Sequence, residues 1–474
     1  VTILYDVSDL MSWSRPHLTG IQRTTVGILN GLVSTGVEPR LVRFDSHRRQ
    51  FEPLDVARLP AAIRSHLPWA RAQVATTPAG PAAAHGGRRR LSDRKPFFGT
   101  SPAGAGLRAA FREFKAAARQ LHQHTTRWAA ERFREQALPI LPPTLRPGGR
   151  TAPVAAVPPD PSGPFAPGDV LLSLGASWPI DGHAEATASL RARGVCVLRM
   201  IYDLIPTIKP QWADEPAVRQ ATRWVRNVLT ESDHVLTISE FSRGEIEKYC
   251  AESRFTLPPL SVVRLGDELG SGGDEPPPLP RFVPQRPFFV CVSTLDVRKN
   301  HRLLYDTWQV LAARDPAHCP DLLCLGMPHA FVTDLLWEMR QDRAVNGRIH
   351  LLEGIEDAEL AWYYRHCAAT IYPSRYEGWG LPVAESLGQG RLCLASNATS
   401  IPEISPGLPE FFHPLDALGL AALVERTLRD PEWVRAREAE IRARFVPTPW
   451  SRTAGQVRVA IEAAARSQLA RATA

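Results

Sequence analysis

The run Pro373-Ser374-Arg375-Tyr376-Glu377-Gly378-Trp379-Gly380-Leu381-Pro382-Val383-Ala384-Glu385 carries more structural information than any other part of this chain. The apolar segment before it, Ala368-Ala369-Thr370-Ile371-Tyr372, reads as a short buried strand. Gly378 and Gly380 supply a loop with permissive backbone angles. Pro382 suits the first turn of a helix, where its missing N–H costs nothing, and Val383 to Leu387 continue that helix. A strand, a glycine loop and a helix N-terminus bring unpaired N–H groups and the positive end of a helix dipole to one place. Two carboxylates, Glu377 and Glu385, flank it. They do not suit phosphate; they suit the hydroxyls of a ribose or hexose, which donate hydrogen bonds to an ionised acceptor. Two glutamates at this spacing occur by chance in any long chain, so the weight lies on the residues around them.

The same alternation extends in both directions. Phe288-Phe289-Val290-Cys291-Val292 opens a β-α-β series that continues through strands at Leu322 to Leu325, Ile349 to Leu351, Thr370 to Tyr372 and Arg391 to Ala395. Such alternation predicts a doubly wound parallel sheet with ligands at the carboxyl ends of its strands. The first half starts likewise. Val1 to Val7 is strand-like, Thr19 is a candidate cap for a helix from Gly20, and Pro39 to Phe44 is the next strand. Strands resume at Gly168 to Gly175, Val195 to Ile201, His234 to Ile238 and Leu260 to Leu265, with Ser239 as an N-cap. The expected domains are 1–270 and 288–449, joined by a Pro-rich linker at 271–287, with a terminal helix over 450–474. Neither a G-x-G-x-x-G nor a Walker loop is present, so dinucleotide and P-loop readings have no motif support.

Length and composition set further bounds. At 474 residues, two or three domains are expected. Apolar content of 44% and charged content of 22% are ordinary for a globular protein. Seven cysteines with no C-x-x-C pair point to free buried thiols in a reducing compartment, not to disulfides or zinc. No apolar run approaches the roughly 20 residues of a membrane span. Val1 to Leu10 reads as strand, not as a basic-then-apolar leader, so a cytoplasmic location is expected. Between Gly86 and Arg150, 14 Arg and Lys face 4 Asp and Glu, more excess charge than the +7 of the whole chain. This basic, Pro/Ala/Arg-rich insertion at about 75–167 contains one expected helix, with Leu107, Ala110, Phe111, Phe114, Ala118 and Leu121 at helical spacing. Three readings stay open for it: a helix lying peripherally on the inner membrane surface, a nucleic-acid site, or an insertion with a solvated basic face. Nucleic acid is the least supported, because aromatic interleaving is thin.

Two further stretches carry candidate chemistry. Ser293-Thr294-Leu295-Asp296-Val297-Arg298-Lys299-Asn300 follows a strand and opens a helix, so a cation there can reach a diphosphate in the cleft; a solvated basic turn is the plain alternative. In Tyr202-Asp203-Leu204-Ile205-Pro206, Asp203 follows a strand and sits at the cleft mouth or caps the next turn.

The pattern Pro-Ser-x-Tyr-Glu-Gly-x-Gly-Leu-Pro-x-x-Glu resembles the nucleotide-sugar site of family 4 retaining glycosyltransferases, which have the GT-B fold of two Rossmann-like domains facing across a cleft. The resemblance is close from Phe288 to Trp450, moderate over 1–45 and 168–267, and absent over 75–167. It implies that Glu385 meets the ribose hydroxyls and Glu377 the donor sugar, with Gly378, Trp379, Gly380 and Leu381 completing the donor loop. It implies that the loop at Gly354-Ile355 runs beside the nucleobase. Lys299 matches the family's phosphate-binding lysine; the position that often carries the arginine is Thr294 here, which leaves the role of Arg298 open. The family often has a histidine before the aspartate at 203, near the transferred sugar, where this chain has Tyr202. Thr19-Gly20-Ile21-Gln22-Arg23 resembles the loop facing donor phosphates and acceptor, which puts Gly20 on the donor side and Arg23, with Tyr202, on the acceptor side. Asn397 to Glu403 resembles the loop after the next strand, and Trp450 to Ala454 the start of the helix that crosses back to the first domain.

The implied activity is retaining transfer of a sugar from a nucleotide-diphosphate donor to a glycan or polyprenyl-linked acceptor. Glu377, Lys299, Arg298 and Asp203 are the catalytic candidates, with no cofactor and no metal. Resemblance over Asp6 to Arg23 and Gly168 to Trp178 leans toward enzymes of bacterial surface-polysaccharide synthesis, which favours GDP-mannose or dTDP-rhamnose over a UDP-sugar. A nucleotide-sugar-binding scaffold without turnover and a nucleotide-sugar epimerase are the alternatives.

Overall fold

The computed structural model describes residues 2–13, 18–70, 165–268 and 280–473. The basic insertion with its expected helix, and most of the Pro-rich linker, lie outside them. Two sheets organise the chain. The first runs in the order β3-β2-β1-β4-β5-β6-β7. Its strands are β1 (Ile3–Asp6), β2 (Arg40–Asp45), β3 (Gln50–Pro53), β4 (Val170–Ser173), β5 (Cys196–Met200), β6 (His234–Thr237) and β7 (Leu260–Val262). All are parallel except the edge strand β3, which returns antiparallel to β2. The second sheet, β10-β9-β8-β11-β12-β13, is parallel throughout. It comprises β8 (Phe288–Val292), β9 (Asp321–Leu325), β10 (Ile349–Leu352), β11 (Ala369–Tyr372), β12 (Cys393–Ser396) and β13 (Glu410–Phe412).

The strands form where apolar runs are bounded by Gly, Pro or Asp. β4, β5 and β11 are buried along their whole length, as expected for parallel strands covered by helices on both faces. Two elements go beyond the sequence reading: the edge strand β3, short and polar, which pairs back on β2, and β13, whose three residues are too few for periodicity to mark. Thr19 also departs from it. The helix does begin at Gly20, spanning Gly20–Ser34, but the Thr19 hydroxyl bonds the Gln22 side chain instead of capping a backbone N–H. Ser239 does cap, accepting from Ser242 N at 3.0 Å.

All described residues belong to one compact unit. The terminal helix Trp450–Thr473 returns from the second half to lie on the helix Gly20–Ser34 of the first. This gives the GT-B arrangement that the resemblance implies. The crossing depends on small residues. A Cβ at Gly31 would stand 2.4 Å from the carbonyl oxygen of Trp450, and one at Gly27 would fall inside the Trp450 ring. Beside it, Thr453 Oγ1 donates to Arg264 O at 2.8 Å, and Asp267 Oδ1 accepts from Thr448 N at 2.5 Å. Gly31→Ala is therefore expected to destabilise the protein by about 3 kcal/mol or more, since backbone cannot yield as a flexible side chain can. Urea unfolding measures this, and an unchanged midpoint would show that the crossing tolerates a methyl group. All seven cysteines are buried and unbridged. No helix among the described residues is long and apolar enough to cross a membrane.

Candidate active site

In the first sheet the strand order reverses between β1 and β4, and in the second between β8 and β11. A crevice opens at the carboxyl ends of strands at such points. The loop after β8 makes a 3-10 turn, Val297–Lys299, started by Asp296 Oδ1 accepting from Arg298 N at 3.1 Å. Asn300 ends it at φ +64°, and its amide donates to Pro373 O at 3.0 Å and Pro414 O at 2.7 Å. That amide pins the β8 loop to the β11 loop. On the β11 side, Glu377 N donates to Thr399 Oγ1 at 2.9 Å, and Glu377 O accepts from Ser400 Oγ at 2.9 Å. Thr399 itself sits at φ +54°, a strained setting for a β-branched residue.

These supports bring three charges together. Arg298 Nη1 donates to Glu377 Oε2 at 2.7 Å, and Lys299 Nζ donates to Glu377 Oε1 at 2.5 Å and to Tyr372 Oη at 2.9 Å. Burial alone would push the Glu377 carboxyl up; Arg298 and Lys299 outweigh it and hold the group at about 2. Burial lowers Lys299, and although Glu377 opposes this, the like charge of the neighbouring Arg298 adds to it. For Arg298 burial is the largest influence and opposes the charge, but Glu377 and Asp203 together raise it. Asp203 reaches this cluster from the loop after β5. Its Oδ1 accepts from Ile205 N at 3.0 Å, so it caps a turn and faces Arg298 at once. Burial raises its pKa, and Arg298 opposes that.

Glu385 lies on the next helix, Leu381–Gly388, with Pro382 in its first turn. Its Oε1 pairs with the Arg23 guanidinium and its Oε2 accepts from Tyr364 Oη at 2.9 Å. Arg23, read on the acceptor side from sequence, thus lies on the carboxylate read as the ribose partner. Glu385 and nearby Asp357 and Tyr364 raise its pKa against burial.

The two halves touch directly along this seam. A Cβ on Gly378 would stand 2.5 Å from Tyr202 O, so only glycine lets the donor loop lie against the first half. Tyr376 Oη donates to Glu245 at 2.6 Å. Glu403 accepts from the backbone N–H groups of Glu240 and Phe241 at 2.8 and 2.7 Å, where a carboxylate suits the positive end of the helix Glu240–Ser253. The Arg264 guanidinium lies 5.3 Å from the centre of the buried Trp379 ring.

The remaining sequence candidates are more dispersed. The Tyr202 hydroxyl donates to Leu174 O at 2.8 Å within the first half. Gly354 is exposed and Ile355 half-buried in the loop after β10; Gly20 and Thr294 are exposed; Leu381 is half-buried at its helix start. Beside Asp203 and Arg298 a cavity of about 340 Å³ opens between the halves, walled by Trp178, Trp212 and Trp224 on one side and His329 and Phe331 on the other. Sequence reasoning missed Tyr364, Tyr372, Thr399 and Glu403 as supporting groups. Tyr364 stands in a run of aromatics where nothing local sets it apart, and Thr399 and Glu403, though inside the resembling loop Asn397 to Glu403, show no contact role in sequence.

Residues 286–430 match the family model Glycosyl transferases group 1. The chain is 26% identical over 240 residues to the O-antigen chain mannosyltransferase B of Escherichia coli, covering 47% of this chain and 59% of that protein. It is 30% identical over 257 residues to an MMP alpha-(1->4)-mannosyltransferase of Mycolicibacterium hassiacum, covering 52% and 58%. It is 25% identical over 209 residues to the serotype-specific mannosyltransferase WbdA of Escherichia coli, covering 42% of this chain and 25% of that one. The chain therefore spans about three-fifths or less of these relatives. Among solved structures, the trehalose-6-phosphate synthase OtsA aligns with a TM-score of 0.49 at 14% identity, covering 62% of this chain and 72% of that one.

Proposed function

We propose that this chain, whose residues 286–430 match the family model Glycosyl transferases group 1, moves a mannosyl residue from GDP-mannose to an acceptor hydroxyl during polysaccharide synthesis, with retention of configuration. The observation that carries the reading is Arg298 and Lys299 converging on Glu377 at 2.7 and 2.5 Å, at the switch point of the second sheet and facing Asp203. The matched relatives named as mannosyltransferases favour mannose over other hexoses.

In this mechanism the acceptor oxygen bonds the anomeric carbon while the bond from that carbon to the diphosphate oxygen breaks. The acceptor proton passes to the leaving diphosphate, on the same face of the sugar. Negative charge grows on the diphosphate as it departs, and Lys299 and Arg298 stabilise it in a site that closure makes dry. The donor's own hydroxyls replace one of these cations on Glu377, which leaves that cation for phosphate. Likewise the ribose hydroxyls take over Glu385 Oε1, and the released Arg23 turns to the diphosphate. These cations perform the neutralisation that a metal performs elsewhere, so we propose that transfer proceeds without one, in the cytoplasm.

A thermal-shift panel of GDP, UDP and dTDP on wild type and Glu385→Ala tests the reading. A nucleotide at 100 times its Kd adds about 2.7 kcal/mol. GDP is expected to stabilise wild type and to lose most of that effect in Glu385→Ala. Stabilisation by UDP or dTDP alone would move the donor assignment. If no nucleotide stabilises the protein, the transferase reading fails.

A further inference from the structure

The cavity beside Asp203 has chemistry that the donor does not use. Its walls include three indoles, Trp178, Trp212 and Trp224, all partly exposed. They are anchored from the side. Trp224 Nε1 donates to Ser177 Oγ at 3.0 Å, and the Trp178 and Trp224 rings meet edge to face at 5.4 Å. Trp212 meets Tyr376 in the same manner at 6.1 Å. An edge-to-face pair covers at most one ring face, so apolar faces are left for a ligand.

Charge narrows the ligand. Three carboxylates line the cavity, Asp203, Asp214 and Asp296, against one guanidinium, Arg298, which shares Glu377 with Lys299. Each carboxylate uses Oδ1 for a backbone N–H, from Ile205, Ala217 and Arg298 in turn, and each has a second oxygen. Away from Arg298 the carboxylates disfavour a second phosphate or diphosphate and accept hydrogen bonds from hydroxyls. At about 340 Å³ the space is at the small end of the roughly 300–1,000 Å³ found for ligand cavities.

Resting on the transferase reading above, we propose that this cavity seats one uncharged pyranose residue of the acceptor glycan, its C–H face against the indoles of Trp178 and Trp212, its hydroxyls on the carboxylates. The pyranose hydroxyl nearest Asp203 is the one that receives the sugar. The enzyme therefore extends an existing saccharide end and does not add a first sugar to a lipid diphosphate.

Saturation-transfer NMR on the GDP-loaded full chain tests this with four methyl pyranosides (mannoside, rhamnoside, glucoside and galactoside) and with geranyl diphosphate as the charged alternative. At least one glycoside is expected to show saturation on its ring protons, lost in the Trp178→Ala/Trp212→Ala double variant and largely restored in Trp178→Phe/Trp212→Phe. Geranyl diphosphate is expected to show none. Three results would overturn the proposal: glycoside saturation that survives the alanine variant, saturation of geranyl diphosphate alone, or saturation of no glycoside. The phenylalanine variant separates loss of stacking from loss of folding. The nucleotide panel separates failure here from failure of the transferase reading, because it reads Glu385, which lies outside this cavity, while Trp178 and Trp212 have no part in the donor site.

Discussion

Glu377→Ala is expected to abolish measurable transfer and to destabilise the protein by about 3 kcal/mol, the effect of stripping one partner from a buried charge cluster. The substitution leaves Arg298 and Lys299 side by side with no shared counter-charge, and Lys299 is already disfavoured by burial. Glu377→Gln keeps the shape and part of the hydrogen bonding, so it is expected to fold better than the alanine variant but to transfer at least roughly a hundredfold more slowly, as a site misplaced by its lost ion pair does. The acid limb gives an independent check. Burial acting alone would raise the Glu377 carboxyl, but Arg298 and Lys299 depress it from an ordinary value of 4.5 to about 2. A depressed carboxyl contributes stability above its unfolded value, and that contribution is lost as pH falls through the folded one. The stability gap between wild type and Glu377→Gln should therefore be widest above pH 5 and shrink between about pH 4.5 and 2. A gap that stays constant across that range would mean that Glu377 is not ionised in the folded protein.

A second large effect is expected at Asp9, with the opposite sign. Asp9 lies behind the carboxyl end of β1, packed against Gly175, with Oδ2 accepting from Ala176 N at 3.2 Å. Burial, then the neighbouring Asp6, push its carboxyl from 3.8 up to about 7. A carboxyl raised on folding is harmless while protonated. Its cost begins as pH rises past the unfolded value and is complete once pH exceeds the folded one. Asp9→Asn removes that cost and keeps an oxygen for Ala176. It is expected to stabilise the protein at pH 8 by on the order of 4 kcal/mol and to do little near pH 4. Urea midpoints of both proteins at pH 4, 6 and 8 measure this. Equal midpoints at pH 8 would place the Asp9 carboxylate in better contact with water than its burial indicates. Because Asp9 lies outside the donor and acceptor contacts, its effect is on folding, which sets it apart from Glu377.

Much of this was legible in the residues. Ala369–Tyr372 forms the strand, the glycine loop follows, and the helix begins at Leu381 with Pro382 in its first turn, as local backbone preferences require. The Arg298-Lys299 pair lies where the β-α alternation puts it, after the first strand of the second sheet. Other features left no local trace. The β2–β3 hairpin is a four-residue edge strand beginning in a polar turn. Thr19 has a capping residue's identity, yet its hydroxyl goes to a neighbouring side chain. Tyr372 reads as strand filler until Lys299 is seen to donate to its hydroxyl.

By itself, then, the sequence determined what depends on near neighbours along the chain: two doubly wound halves, the glycine loop between strand and helix, and the residue types available for sugar and phosphate. Those follow from periodicity and from the φ preferences of Gly and Pro, which act over a few residues. Only the tertiary structure decided which charges meet. Arg23 and Glu385 are 362 positions apart, and Glu403 reaches the start of a helix 163 positions before it. Ion pairs and caps of this kind are fixed by how the halves close, and closure rests on a glycine at 378 and on three more against Trp450, Gly27, Gly31 and Gly266. No propensity encodes a contact across such a separation, because its free energy exists only once both surfaces are folded and packed together.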